Sequence, residues 1–207
     1  MKYDPFPRGK FPVGVRSIEA LDTSRNCLFP FEVWYPAAAE HAGQDLAPAT
    51  QDVFTVSVGS TPRAQAAVRD ATAHAGSYPL IVFSHHSTGN RRTATFLTTH
   101  LSSHAYVVAA IDHSEVVSSA LARKDGETAE QRNMRAESWV ANRVPDMRFL
   151  IDHLINTWES EARIDSSQIG IIGHSLGGWT ALATPEVEPR IRAVVALAPG
   201  GNSRPRP

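Results

Sequence analysis

The chain of 207 residues has a mass of 22.5 kDa, a length typical of a single domain. Hydrophobic residues make up 42% of the sequence and charged residues 20%, a balance that excludes a disordered chain and allows a sizeable core. The 20 basic and 21 acidic side chains give a net charge of −1, so electrostatics offers no argument for binding nucleic acid or an anionic membrane.

The first part of the chain predicts two strands followed by a long connection. The β-like runs cover residues 13–20 and 29–35. The next segment, residues 37–77, is rich in Ala, Gly and Gln, and we interpret it as the connection. Within it the sequence predicts one strand over residues 53–58 and a short helix over residues 65–71.

From residue 78 onward, apolar strands alternate with helices. Four continuous apolar runs are typical of strands buried on both faces: residues 79–84, 105–111, 168–173 and 191–198. Helices are predicted in three places: over residues 93–103, along an apolar stripe from Val144 to Trp158, and from Leu176. This alternation predicts the α/β class, with a mostly parallel sheet and helices on both faces.

A polar segment interrupts this alternation. Residues 118–138 are rich in charged side chains, and we interpret them as an excursion from the core. The excursion is expected to be a solvated face, or else to form, within residues 114–139, part of a lid over a pocket. The whole chain, residues 1–207, is expected to belong to one domain.

Targeting and redox signals are weak. No apolar run approaches the roughly 20 residues that a membrane span needs. Residues 1–10 contain charged residues and prolines without an apolar stretch, unlike a signal peptide. Cys27 is the only cysteine, so neither an internal disulfide nor a thiolate zinc cluster is expected. The sequence therefore predicts a globular protein of the cytoplasm.

One motif carries nucleophilic chemistry. The run GHSLGG at residues 173–178 fits the pattern G-x-S-x-G and lies between a buried strand and a helix. In this arrangement a tight turn strains the serine backbone and lifts its hydroxyl above the sheet edge. Gly173 and Gly177 allow the strand and the helix to approach each other. We therefore predict that Ser175 is the nucleophile, with the helix N-terminus directed at a developing oxyanion.

Two backbone N–H groups stabilise the oxyanion in this arrangement. One belongs to the residue after the nucleophile, which is Leu176. The other comes from the loop after an earlier strand, here residues 84–89. We predict Ser87 as this second donor because it lies three residues past the strand end and near Gly89. The alternative is that Ser87 is an ordinary loop serine.

Three segments together resemble the α/β-hydrolase superfamily. Residues 80–89, 105–113 and 173–178 are similar to its branch of platelet-activating-factor acetylhydrolases and dienelactone-hydrolase-like esterases. The resemblance extends over about residues 10–200, and the GHSLGG motif is its most specific part. It implies the α/β-hydrolase fold and a serine esterase, because dienelactone hydrolases proper have a cysteine where this chain has Ser175.

The same resemblance extends to two loop features. Members of the branch show a strand that ends in Asp-His, which is matched here by Asp112 and His113. Their oxyanion residue lies two places after the loop histidine, which implies Ser87. This chain departs from the pattern at His86, where the branch has glycine after the loop histidine, His85. The larger side chain adds bulk beside the oxyanion hole.

A catalytic base and acid are missing after the serine. In the α/β-hydrolase fold the order along the chain is Ser, then Asp or Glu, then His. After Ser175 the sequence contains no His and no Asp, and its only acids are Glu186 and Glu188. The resemblance implies that the acid and the histidine lie on further strands. We therefore expect the N-terminal part of such an enzyme, with residues 191–198 as an exposed edge strand.

Three explanations compete for the missing groups. A C-terminal companion polypeptide of the same enzyme would supply an Asp or Glu and a His. Alternatively, the chain is a truncated hydrolase of low activity that acts as a binding or interaction module. In the third explanation the base comes from elsewhere, and His85 and His86 are the nearest candidates. Their alternative role is loop packing with hydrogen bonds to the backbone.

The other histidines carry weaker signals. His174 precedes the nucleophile, but the turn directs neighbouring side chains apart, so a structural role is expected. His113 could pair with the adjacent Asp112. His100 and His104 stand four residues apart on a predicted helix, as two metal ligands would, but no third ligand follows at a telling spacing. No metal site is therefore expected.

Together these features predict a serine carboxylic-ester hydrolase that works through an acyl-enzyme. Ser175 would attack the ester carbonyl, and the Leu176 and Ser87 amides would hold the oxyanion. The resemblance favours small esters with short acyl groups as substrates. No cofactor is expected, because the reaction transfers an acyl group to water.

Overall fold

The computed structural model describes residues 6–56 and 59–200. Within them, the strands are β1 Val13–Asp22, β2 Cys27–Pro36, β3 Asp52–Phe54, β4 Arg63–Gln65, β5 Val68–Arg69, β6 Gly76–Ser84, β7 Val107–Ile111, β8 Ala162–His174 and β9 Ile191–Leu197. The α-helices of the same residues are α1 Thr95–Ser103, α2 Ser114–Val117, α3 Ala129–Thr157 and α4 Leu176–Ala183.

Seven of these strands form one sheet in the order β5-β1-β2-β7-β6-β8-β9. The pairs β1–β2 and β2–β7 are antiparallel, and every other pair in this sheet is parallel. The strands β3 and β4 form a separate antiparallel pair. The mostly parallel sheet confirms the predicted α/β class.

Helices cover both faces of the sheet and bury two apolar layers. On one face, α3 contributes a stripe of buried side chains: Met147, Leu150, Ile151 and Leu154. Ala181 of α4 belongs to the same layer. On the other face, the chain around α1 packs Ala94, Leu97 and Leu101 against the sheet. The strand β7 lies between these layers and is buried along its whole length, which explains its continuous apolar sequence.

The four strands predicted from apolar runs are present: β6 and β8 begin before their runs, whereas β7 and β9 are slightly shorter than theirs. The predicted strand over residues 168–173 is the second half of β8, whose first half is more polar and more exposed. The predicted strand over residues 53–58 corresponds to the short strand β3. Its positions 57 and 58 lie outside the described residues.

The predicted helix over residues 65–71 is wrong, because this segment contributes to β4 and β5 instead. Gln65 accepts a hydrogen bond from Trp34 Nε1 at 2.8 Å and donates one to Asp52 Oδ2 at 2.6 Å. Val68 pairs with Gly14 of β1. These partners are distant in sequence, and their contacts override the weak local preference for a helix.

The helix α3 begins well before the apolar stripe that predicts it. Its first residue is Ala129, and Thr128 and Gln131 form a reciprocal capping box at its N-terminus. The spacing Thr-x-x-Gln is a start signal that the sequence contains. The apolar stripe does not extend over the first turns of α3, because these turns are exposed to solvent and have no apolar face. In the described part of the chain, neither this helix nor any other is long and apolar enough to cross a membrane.

The strand β9 lies at one edge of the sheet and, within the described residues, pairs only with β8. Its side chains are far more exposed than those of the inner strands. Val194, Val195 and Leu197 are 40%, 47% and 41% exposed, although an apolar strand is normally covered. The predicted exposed edge is therefore present.

Candidate active site

The candidate site lies where three neighbouring strands end. The strands β6 and β8 are parallel, with Ser84 opposite Gly173. The strand β7 runs parallel to β6 on its other side. Ligands of parallel sheets bind outside the carboxyl ends of the strands, and here these ends bring together residues 84–89, residues 112–115 and Ser175.

Ser175 occupies a strained turn between β8 and α4. Its backbone has φ 55° and ψ −118°, a conformation that residues other than glycine rarely adopt. The turn is held on both sides: the Ser175 N–H donates to the Leu197 carbonyl at 3.0 Å, and the Ser175 carbonyl accepts from Gly200 N–H at 2.8 Å. The side chain is partly exposed, and its hydroxyl has no hydrogen-bond partner among the described residues.

Two glycines bring the backbones at this turn into direct contact. A Cβ atom on Gly173 would lie 1.9 Å from the Gly177 carbonyl oxygen. A Cβ atom on Gly177 would lie 2.0 Å from the Ser84 carbonyl oxygen. Real Cβ atoms do not come this close to backbone, so only glycine fits at either position. The N-terminus of α4 is therefore packed against the loop that follows β6.

The two backbone donors that the sequence predicts for the oxyanion have no partner within the protein. Among the described residues, neither the Ser87 N–H nor the Leu176 N–H has a hydrogen-bond acceptor. Leu176 is the first residue of α4, where N–H groups have no partner within the helix. Ser87 lies in the loop directly after His86 and is partly exposed.

The two loop histidines have different surroundings. His85 is fully buried, and its Nδ1 donates to the His86 carbonyl at 2.6 Å. Its Nε2 accepts from the His113 N–H at 3.4 Å, so the backbone engages both of its ring nitrogens. His86 is partly exposed, and its ring lies 5.7 Å from the ring of the exposed His174. The Nδ1 of His86 accepts from the Thr88 N–H at 3.3 Å.

A buried chain of hydrogen bonds lies beneath the loop. His113 Nε2 accepts from the Ser84 hydroxyl at 2.8 Å, and His113 Nδ1 donates to Asp146 Oδ2 at 3.0 Å. All three side chains are fully buried. The bonds follow the order of a Ser–His–Asp triad, but no substrate reaches a hydroxyl that is closed to solvent. This chain of bonds instead ties the ends of β6 and β7 to α3.

The pairing of Asp112 with His113, which the sequence left open as an alternative to a structural role for His113, is not formed. Asp112 accepts from the backbone N–H and the guanidinium of Arg91, whereas His113 bonds to Asp146. Successive residues at a strand end point to opposite sides of the sheet, so these two sequence neighbours face different partners.

Two functional candidates, Asp146 and Arg143, were not predicted from the sequence. They are the buried charged residues beneath the site that form the most hydrogen bonds and ion pairs. Asp146 accepts from His113, from the N–H and hydroxyl of Ser114, and from Arg25 Nη1. Arg143 is also fully buried. Both lie on the apolar stripe of α3 that includes Met147, and charged residues on such a stripe are a signal for a buried network.

Burial keeps the histidines of this network neutral. Burial lowers the pKa of His85 well below its usual value, and the nearby charges of His113 and Arg143 lower it further. Burial also lowers the pKa of His113, although the Asp146 carboxylate opposes this shift. Burial alone would raise the pKa of Asp146, but the hydrogen bonds from His113 and Ser114 outweigh it and lower that pKa.

These shifts predict that mild acid destabilises the protein. Below about pH 6.5 the unfolded chain binds protons at His85 and His113 that the folded protein excludes, so the free energy of unfolding falls as pH falls. We expect the thermal midpoint to be constant above about pH 7.5 and to decline between about pH 6.5 and pH 5. Thermal melts across this range test the prediction, and a constant midpoint down to pH 5 would contradict it.

The remaining predicted candidates lie in other surroundings. The rings of His100 and His104 are 4.7 Å apart, but His104 Nε2 bonds to the Pro7 carbonyl at 3.1 Å. Among the described residues, no group of three or more His, Cys, Asp or Glu could hold a metal ion. Glu188 is engaged by Arg190 at 2.6 Å, and Glu186 is exposed.

Comparison with solved structures shows the fold. The chain superposes on a ferulic acid esterase from Streptomyces cinnamoneus with a TM-score of 0.72 and 27% identity, over 97% of this chain and 63% of that chain. The sheet and helices match an esterase of the α/β-hydrolase fold, as the sequence predicted.

Among curated proteins, the chain is similar to two kinds of hydrolase. It is 26% identical over 155 residues to the platelet-activating factor acetylhydrolase of Cavia porcellus, over 59% of this chain and 35% of that protein. It is 28% identical over 125 residues to cutinase 1 of Thermobifida cellulosilytica, over 59% of this chain and 40% of that protein. The chain thus spans well under half the length of these curated relatives.

A family model matches more than half of the chain. The model describes platelet-activating factor acetylhydrolase, isoform II, and it matches residues 19–147. This segment includes β2, β6, β7, the loop after β6 and the buried residues Arg143 and Asp146. The chain belongs to the platelet-activating factor acetylhydrolase isoform II family.

Proposed function

We propose that this chain forms the nucleophile-bearing part of a serine carboxylic-ester hydrolase that works through an acyl-enzyme. The observation that carries the proposal is the turn at Ser175, where a strained backbone presents an unpartnered hydroxyl directly before the free N–H of Leu176. Strain of this kind at a non-glycine residue persists where the surrounding structure enforces it, and it concentrates at functional sites.

The arrangement supports a two-step acyl transfer. Ser175 Oγ attacks the ester carbonyl, and the tetrahedral oxyanion accepts hydrogen bonds from the Leu176 and Ser87 N–H groups. The C–O bond to the alcohol then breaks, and the alcohol leaves with a proton while the acyl group stays on Ser175. Water attacks this ester in the second step, releases the acid and restores the hydroxyl. The reaction needs no oxidant or reductant.

The general base and its orienting acid are proposed to come from a C-terminal companion segment of the same enzyme. Two observations support this proposal. The sequence contains no His after Ser175, where this fold places the base. The apolar strand β9 is exposed at the sheet edge, so further strands could pair with it.

Small esters with short acyl groups are the proposed substrates. The family is named for an acetylhydrolase, and acetyl is a two-carbon acyl group. Residues 114–139 are proposed to contribute a lid. This segment begins at Ser114 and Glu115, which are buried and bonded to Asp146 and Arg143, so the lid would be anchored there beneath the site.

Covalent labelling tests the nucleophile directly. A fluorophosphonate probe should react with Ser175 Oγ, which displaces fluoride and forms a phosphonyl ester on one tryptic peptide. We expect this adduct in the native protein that includes the companion segment, and none after heat denaturation. An absent adduct, or an adduct on another residue, would favour the alternative, a catalytically weak hydrolase that acts as a binding or interaction module.

An intact mass spectrum together with an esterase assay on the same sample tests the companion segment. We expect activity in samples that contain a second polypeptide or a longer chain. Activity from the 22.5 kDa chain alone would contradict this part of the proposal and make His86 the first residue to mutate as the base. Inactivity of the chain alone, restored by the missing segment, would support it.

A further inference from the structure

Arg143 connects the helix α3 to the loop that carries the proposed oxyanion donor. Its side chain is fully buried. Its Nη1 donates to the His85 carbonyl and, at 3.4 Å, to the Ser84 hydroxyl. Its Nη2 donates to the His86 carbonyl at 3.3 Å and forms an ion pair with the buried carboxylate of Glu115. One guanidinium therefore contacts two successive carbonyls of this loop. The His86 carbonyl also accepts from His85 Nδ1 at 2.6 Å and from the Gly89 N–H at 2.9 Å, so Arg143 is the donor that links this peptide to α3, alongside two donors from the loop itself.

The second of these carbonyls shares a peptide group with the Ser87 N–H. A trans peptide is planar, so its N–H points away from its C=O. Once the His86 carbonyl is directed toward Arg143 on α3, the Ser87 N–H must point the opposite way. The Ser87 N–H has no acceptor among the described residues, as expected for a donor reserved for a ligand.

Stability alone gives little reason to keep a charged pair at this depth. The Arg143 and Glu115 side chains are 0% and 2% exposed. A buried ion pair is often no more stabilising than apolar residues of the same volume, because both charges lose their hydration. The directional donors of a guanidinium, by contrast, fix two carbonyls at once, which an apolar side chain cannot do.

We propose that Arg143 is a positioning residue for the oxyanion hole: it orients the peptide between His86 and Ser87 so that the Ser87 N–H faces the oxyanion formed at Ser175. This inference rests on the proposed function of Ser175. Glu115 completes the arrangement by neutralising the buried charge: it pairs with Nη2, which also donates to the His86 carbonyl, whereas Nη1 contacts the His85 carbonyl and the Ser84 hydroxyl.

The test compares variants of the active protein. Because Arg143→Met alone would leave Glu115 buried without a partner, the main variant is Arg143→Met with Glu115→Gln. The second variant, Arg143→Lys, keeps the charge but places its N–H donors on a single nitrogen instead of two. The control is Arg148→Met, five residues further along the same helix, whose half-exposed side chain lies 3.8 Å from Glu188 instead of against the loop. Measurements are kcat and KM for p-nitrophenyl acetate and the hydrogen exchange of residues 84–89.

We expect the double variant to lose kcat by about 10²-fold, the size of effect that follows from misplacing a catalytic group. KM should stay within about threefold, since the lost interaction acts mainly in the transition state. Amide exchange in residues 84–89 should rise, Arg143→Lys should recover part of kcat, and Arg148→Met should match the wild type.

Each outcome supports or overturns a specific statement. A folded double variant with unchanged kcat and unchanged exchange overturns the inference about Arg143. A variant whose exchange rises while kcat is unchanged shows that Arg143 holds the loop but does not position the oxyanion hole, and this also overturns it. If Ser175→Ala is as active as the wild type, the proposed function fails instead, and exchange alone then decides whether Arg143 holds the loop.

Discussion

Replacing Ser175 with alanine is expected to abolish the hydrolysis of p-nitrophenyl acetate by the active protein, with kcat falling by about 10⁴-fold or more. The expected loss is large because the hydroxyl supplies the covalent bond of the acyl-enzyme, and the free Ser87 and Leu176 amides cannot replace it. Any residual rate would come from binding and from oxyanion stabilisation of a direct attack by water. Steady-state kinetics with the fluorophosphonate-labelled protein as the zero-activity reference measures the effect.

A matched variant separates chemistry from backbone strain. Ser175→Gly also lacks the hydroxyl, but it relieves the strain at φ 55°. Such strain costs about 1–3 kcal/mol, and the added chain entropy of glycine costs about 0.5–1 kcal/mol, so Ser175→Gly should be the more stable of the two variants by about 1 kcal/mol. Both should be inactive. Unchanged turnover in either variant would exclude Ser175 as the nucleophile.

Replacing Asp146 with asparagine is expected to destabilise the fold by about 3–5 kcal/mol, the range found when one partner of a buried ion pair is removed. Asp146 is fully buried and accepts from His113, from Ser114 and from Arg25. Every partner of Asp146 is a hydrogen-bond donor, so the NH2 group of an asparagine would face another donor. The substitution would also remove the negative charge that pairs with Arg25. For a protein of this length, the thermal midpoint should fall by roughly 10 °C.

A carboxylate on the same helix provides the control for this prediction. Asp152 pairs with Arg190, but its side chain is 51% exposed. Asp152→Asn should therefore change the free energy of unfolding by less than about 1 kcal/mol. Equal midpoints for the two variants would mean that the buried bonds of Asp146 contribute no more than a surface pair.

Much of the sheet could be predicted because strands that are buried on both faces have continuously apolar sequences. The residues of β7 are apolar throughout since both faces of the strand are covered, and the apolar stripe of α3 has the period of a helix packed on a sheet. The segment around Gln65 could not be predicted. Its conformation depends on Trp34, Asp52 and Gly14, which lie far away in sequence.

The GHSLGG motif predicted the strand, turn and helix around Ser175 because glycines on both sides of a serine leave room for backbone contact. The roles of Ser175, Leu176 and Ser87 remain predictions that the variants above test. Local sequence could not predict the partner of His113, because Asp146 lies on another element, 33 residues away. The position of Arg143 on the apolar stripe indicates burial, but its partners on the loop after β6 could not be predicted for the same reason.

The sequence by itself determined the α/β class, the strands from residue 78 onward and the strained turn at Ser175, because each depends on local periodicity or on glycines within a few residues. Only the tertiary structure decided which charges meet beneath the loop. Arg143 and Asp146 face His85 and His113 because α3 crosses the ends of β6 and β7, and a crossing of separate elements leaves no trace in local sequence.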